Sequence, residues 1–188
     1  MPVGEKKVGL PELFYDLVFV YALSRTTELV HHADEADYVT FLISLVILFT
    51  VWLYQSIYIN RFGDNSWRDR LFLFADMFLL LFLSNAVGSD WLANFVPFNL
   101  ALGLLVGNVC LQYLLQLARH ASPEQRRRIK LVAGLRGLTT ATVLGSLLFP
   151  ANIGQWVALG GFGLGWILPA FVRHKQPAVN FPHLLERL

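Results

Sequence analysis

Residues 91–118 run from Trp91 to Ala118 without one charged side chain. A helix needs ~20 mostly apolar residues to cross the ~30 Å hydrocarbon core of a bilayer. In hydrocarbon each backbone polar group must be satisfied internally, which an isolated helix does and an open strand does not. A run of this kind therefore restricts the chain to a membrane helix, and it is not alone. Segments 11–30, 38–59, 71–88, 94–118, 131–149 and 154–172 each read as a span. The break between the last two rests on Phe149-Pro150-Ala151-Asn152-Ile153-Gly154-Gln155, where Pro, Asn and Gly favour a turn. Only 15% of the residues are charged and mean hydropathy is +0.52, against about 25% charged in soluble domains. The expected fold is all-α, a polytopic transmembrane bundle of six spans forming one domain over 1–188.

The basic residues orient these spans. Lys6 and Lys7 precede the first, Arg61, Arg68 and Arg70 follow the second, and Arg119, Arg126, Arg127, Arg128 and Lys130 follow the fourth. Arg173, Lys175 and Arg187 follow the sixth. The connections around 31–37, 89–93 and 150–153 carry no Lys or Arg. All loop cations thus fall on one side, which the positive-inside rule makes cytoplasmic, with both ends of the chain. Asp34, Glu35, Asp37 and Asp90 fall on the other. The basic start resembles a signal peptide, but Asp16 and Arg25 in the run that follows argue for a retained first span. The expected location is a bacterial cytoplasmic (inner) membrane, with the lipid bilayer as partner and no nucleic acid.

Charge inside such a helix costs roughly 2.5–3.5 kcal/mol per central Asp or Arg on insertion scales. Asp16, Asp76 and Arg136 nevertheless lie each about six residues, ~9 Å, from the cytoplasmic start of spans one, three and five. Equal depth makes an inner-leaflet charged cluster the expectation, with Arg136 pairing Asp16, Asp76 or both, and with Glu12 one turn from Asp16. Snorkelling of Arg136 to the interface is the alternative. Asn108, Gln112 and Gln116 recur at i, i+4 and i+8 on one face of span four. They read either as a pore lining or as interhelical hydrogen-bonding groups. Arg25 and Glu28 form an i, i+3 pair near the outer end of span one.

Gly103-Leu-Leu-Val-Gly107 and Gly161-Phe-Gly-Leu-Gly165 have the spacing of close helix contacts. Trp52, Tyr54, Tyr58, Trp67, Trp91 and Trp156 lie near span ends and read as interfacial anchors. The single cysteine, Cys110, permits no intrachain disulfide. His31-His32-Ala33-Asp34-Glu35-Ala36-Asp37 offers metal-ligand types, but a solvated acidic turn is the simpler reading, so neither a metal nor a cofactor is expected. The loop around Arg126–Lys130 suits anionic lipid heads as well as orientation. Phosphate-loop, dinucleotide, nucleophile-elbow and zincin motifs are absent, so no catalytic residue is nominated.

Glu12-Leu-Phe-Tyr-Asp-Leu-Val-Phe-Val-Tyr-Ala resembles the N-terminal signature of the bacterial low temperature requirement protein A family. Asn60-Arg61-Phe62-Gly63-Asp64, with Arg68-Asp-Arg-Leu71, is similar to that family's second block. His183-Leu-Leu-Glu-Arg187 resembles a block that opens a further span. The resemblance implies a polytopic membrane protein named for growth in the cold rather than for an activity. It implies signature positions at Glu12, Asp16, Arg61, His183, Glu186 and Arg187. Family members are usually much longer. On that comparison the chain looks like an N-terminal half, with 177–188 the start of a seventh helix and either the other half or a second copy as partner.

Three functions follow. Intramembrane carboxylates point to a transport-like role for an ion, proton or small solute. A structural or sensory protein would use the same charges for helix assembly. A lipid-modifying enzyme would employ His31, His32 or His183 with a carboxylate, but no spacing identifies a nucleophile and base.

Overall fold

The computed structural model describes residues 9–30, 35–88, 90–119 and 122–171. Among them are six α-helices and no strand: α1 (Leu10–Thr27), α2 (Glu35–Phe62), α3 (Trp67–Asn85), α4 (Trp91–Arg119), α5 (Pro123–Gly145) and α6 (Ala151–Phe171). Short 3-10 turns at Glu28–Val30 and Ser146–Leu148 extend α1 and α5. Among the described residues, three segments are long and apolar enough to cross a membrane: Tyr38–Phe62, Trp91–Arg119 and Pro123–Leu148.

Helix starts follow capping chemistry rather than hydropathy. α5 begins at Pro123, a full two turns before the apolar segment that opens at 131, because Ser122 caps it and Pro occupies its first turn. The Ser122 hydroxyl accepts the Gln125 N–H, and Pro at this position lacks only an N–H that would have no helical partner. α3 likewise begins at Trp67, where Ser66 accepts the Asp69 N–H. The α2–α3 turn is stabilised by its own side chains: Asp64 Oδ1 accepts from Ser66 N, and Asp69 Oδ2 accepts from Asp64 N. Asn65 sits there at φ 57°, a left-handed conformation that Asn tolerates better than most residues. The proposed seventh-helix start at 177–188 lies outside the described residues.

α4 is the central element and packs against α2, α3, α5 and α6. α1 lies on α3 and α2, and α6 lies mainly on α5. The core comes from all of these, including Tyr15, Leu48, Leu80, Leu102, Leu105 and Val143. Glycines set the closest approaches. A Cβ at Gly103 would collide with Leu144, and one at Gly107 would meet Thr140 at 3.2 Å, so α4 and α5 need these bare positions to approach. Gly161 and Gly165 face Thr142 and Thr139 in the same way across α5 and α6. Apolar side chains such as Leu17, Phe74, Phe78, Leu104 and Trp156 point outward and are exposed. A bundle that covers its perimeter with large apolar groups is suited to lipid rather than water.

Candidate functional site

The polar interior divides into separate sites around α4. Between α2 and α4, Gln55 and Gln112 exchange two amide hydrogen bonds at 3.2 and 3.1 Å. One turn further, Gln116 Nε2 donates to the Tyr58 hydroxyl at 3.0 Å. Gln112 and Gln116 are four residues apart and Gln55 and Tyr58 are three apart, so each pair occupies one helix face and the two pairs stack as a ladder. Higher on α4, Asn99 donates to the Phe95 carbonyl of its own helix.

Between α3 and α4 lies Asp76, 1% exposed. Asn108 Nδ2 donates to Asp76 Oδ1 at 2.7 Å and also contacts the Phe72 carbonyl at 3.1 Å. Asp76 Oδ2 is buried and has no hydrogen-bond partner. Between α1 and α2, Asp16 accepts a hydrogen bond from Trp52 Nε1 at 2.8 Å, and the same indole stacks on Phe19 with centroids 5.4 Å apart. Glu12, one turn earlier on α1, is also buried. Arg61 closes α2 at the same end of the bundle as the α2–α3 turn.

Arg136 departs from the expected cluster. Its guanidinium carbon lies 3.2 Å from the centroid of the Tyr54 ring. Among the described residues no carboxylate is within ion-pair distance of it. The reason is topological. Asp16 and Asp76 belong to α1 and α3, whereas α5 packs on α4 and α6, so α4 stands between α3 and α5. Equal distance from the span starts is the basis for expecting one layer, but helix order decides which groups meet.

Arg25 and Glu28 form an exposed i, i+3 pair at 2.6 Å. In the α2–α3 turn, Asp64 lies 3.4 Å from Arg119 at the end of α4. Hydrogen bonding with Asp69, then with Ser66, holds its carboxyl down to about 2. His31, His32, His183, Glu186 and Arg187 lie outside the described residues. Among the described residues no three His, Cys, Asp or Glu side chains converge as metal ligands.

Sequence reasoning missed one partner in each of the Asp16–Trp52, Gln112–Gln55, Gln116–Tyr58 and Arg136–Tyr54 contacts, but named both in Asp76–Asn108. Trp52, Tyr54 and Tyr58 read as interfacial anchors, yet Tyr54 and Tyr58 are 7% and 3% exposed and serve Arg136 and Gln116. Trp67 and Trp156 do face outward, at 71% and 69%. The available signal was Gln55, a polar residue inside an uncharged span, with Trp52 and Tyr58 three residues either side of it. Spacing of that kind marks one inward face.

The first of the three resembling blocks thus supplies Glu12 and Asp16 on α1, and the second forms the capped α2–α3 turn. No curated protein and no solved structure matches the chain. The family model of the bacterial low temperature requirement A proteins (LtrA) matches residues 7–188, nearly the whole chain, and the protein belongs to that family.

Proposed function

We propose that the chain is a multi-pass protein of the bacterial cytoplasmic membrane with a transport-like role, in which Asp76 is the exchangeable proton- or cation-binding group. In this reading all six helices cross the bilayer and the loop cations lie on the cytoplasmic face, together with both ends of the chain. α1 and α3 carry too many charges to qualify as spans by composition: Glu12, Asp16 and Arg25 on α1, and Arg68, Asp69 and Arg70 in the first turn of α3 together with Asp76, the one the role requires. The observation that carries the proposal is the state of Asp76. It is enclosed between α3 and α4 with one oxygen held by Asn108 and the other open. A carboxyl group kept solely for assembly would be expected to have both oxygens satisfied, because a buried unmet acceptor costs about 1–3 kcal/mol.

Reconstitution into liposomes loaded with pH- or alkali-cation-sensitive dyes tests this. The expected result is a proton or monovalent-cation flux that Asp76→Asn reduces at least tenfold and Asp76→Glu reduces less. No flux from the wild type, or full flux from Asp76→Asn, contradicts it.

One observation favours a structural or sensory protein instead. The Gln55–Gln112 and Gln116–Tyr58 bonds are satisfied across helices, as in an assembly interface. If Asp76 belonged to the same system, Asp76→Asn would lower abundance or thermal stability and leave no flux to lose.

A further inference from the structure

A second ionisable group in the interior is left unfinished, and its chemistry is opposite to that of Asp76. Arg136 lies on α5 one and a half turns beyond Lys130, on a helix whose neighbouring residues are Leu135, Gly137 and Leu138. Its Nη1 is buried and has no hydrogen-bond partner among the described residues. The Tyr54 hydroxyl is likewise buried and has no partner among the described residues beyond the Arg136 guanidinium itself. The guanidinium rests on the Tyr54 ring and is within electrostatic reach of the hydroxyl of that same residue. Gly165 adjoins them: a Cβ there would come within 3.7 Å of Tyr54 Oη.

A guanidinium always carries its charge, and its planar donors match the oxygens of a carboxylate or phosphate. Ring stacking satisfies one face of the plane and leaves the in-plane donors available. Neither Asp16 nor Asp76 reaches Arg136. The half-buried cation therefore lacks an anion among the described residues, and its polar neighbour is the Tyr54 hydroxyl.

We propose that Arg136 and the Tyr54 hydroxyl form a binding site for a phosphate-type oxyanion, either a free ion or the head of an anionic lipid. The site does not depend on the role proposed for Asp76. Arg136 supplies the charge and an N–H donor, and Tyr54 supplies the O–H donor together with the ring that fixes the guanidinium plane. Lys130, Arg127 and Arg126 lie at the same end of α5, beside Pro123 and Leu131, and raise the local anion concentration along the approach.

The test is an equilibrium one on the purified full chain in neutral detergent, so its outcome does not depend on flux. Thermal unfolding is followed while inorganic phosphate replaces chloride at constant ionic strength. A parallel titration uses mixed micelles of phosphatidylglycerol against phosphatidylcholine, without added phosphate. A saturable rise in the midpoint is expected. If it occurs with inorganic phosphate the source is a free ion, and if it occurs only with phosphatidylglycerol the source is a lipid head; either supports the site. Arg136→Gln should abolish the rise. Tyr54→Phe keeps the ring and removes one hydrogen bond, so it should weaken binding about three- to tenfold. Arg127→Gln, on the exposed approach, should shift the apparent affinity less than threefold. No saturable rise in either titration, unchanged binding in Tyr54→Phe, or loss of binding in Arg127→Gln with retention in Arg136→Gln each overturns the proposal.

Discussion

The α2–α4 and α3–α4 contacts both bury polar side chains, and they treat them in opposite ways. Between α2 and α4, each amide has a matching partner: Gln55 with Gln112, and Gln116 with Tyr58. Between α3 and α4, Asn108 engages one oxygen of Asp76 and the other is left open. Both interfaces involve the same central helix, so depth and solvent access do not explain the difference. Neutral groups that satisfy each other fix the register of two helices and have no further capacity. An ionisable group with an open acceptor retains capacity for a proton, a cation or a donor. The comparison shows that interior polarity in this bundle is of two kinds, and that Asp76 on α3 and Arg136 on α5 each keep a buried polar atom without a hydrogen-bond partner among the described residues.

The largest stability effect should come from breaking the α3–α4 contact on its neutral side. Asn108→Leu removes the donor to Asp76 Oδ1 and leaves the carboxyl group with neither oxygen met. We expect a loss of about 1–3 kcal/mol in unfolding free energy. The double substitution Asp76→Leu with Asn108→Leu should recover most of it, because the orphaned acceptor is gone. Reversible unfolding in detergent measures both. A double variant less stable than Asn108→Leu alone would show that the carboxyl group makes some other stabilising contact.

A smaller effect is expected at the satisfied interface. Gln112→Leu and Gln55→Leu should each destabilise, and the double variant should be less damaging than the sum. The coupling expected for a membrane-interior hydrogen bond is about 0.6 kcal/mol and at most about 2. Additive single effects would mean that the two amides act independently.

The smallest effect lies at the surface turn. Asp64 has its carboxyl held down to about 2 by hydrogen bonding with Asp69 and Ser66. A depressed folded-state value contributes stability that is present above the ordinary carboxylate range and lost as pH falls through about 2. Asp64 is exposed, so solvent screens most of this contribution. The predicted signature is local. Hydrogen exchange at the Asp64 and Ser66 amides should accelerate as pH falls toward about 2, after correction for intrinsic rates. Asp69→Asn should make exchange there less pH-dependent.

Much of the architecture is legible in the amino-acid order because long apolar stretches separated by Arg-rich or Pro-containing connections have few other ways to fold. The glycine pairs on α4 and α6 announce close contacts by spacing alone. Helix starts were displaced, since Ser122 and Ser66 cap helices that extend past the apolar segments, and hydropathy does not register a cap. The site was legible one residue at a time. Asp76, Asn108 and Arg136 stand out because polar groups are costly in apolar helices, but which of them meet depends on lateral helix order. Positive-inside counting addresses only the direction of a span and says nothing about its neighbours. That is why Arg136 finds Tyr54 across α2 and α5 instead of a carboxylate. The aromatic partners were hidden for a related reason. Trp and Tyr are common at membrane interfaces, so Trp52 and Tyr58 carry no distinctive mark until Gln55 is placed on the same face.

The most direct measurement compares two variants in paired assays: Asp76→Asn and Gln112→Leu, each assayed for flux in liposomes and for unfolding in detergent. The account predicts a division. Asp76→Asn loses at least nine-tenths of the flux while its unfolding midpoint stays close to wild type. Gln112→Leu lowers the midpoint and retains flux per folded molecule. If Asp76→Asn carries full flux, or if both variants lose only stability, the open carboxyl group is an assembly element like the glutamine ladder and the distinction fails.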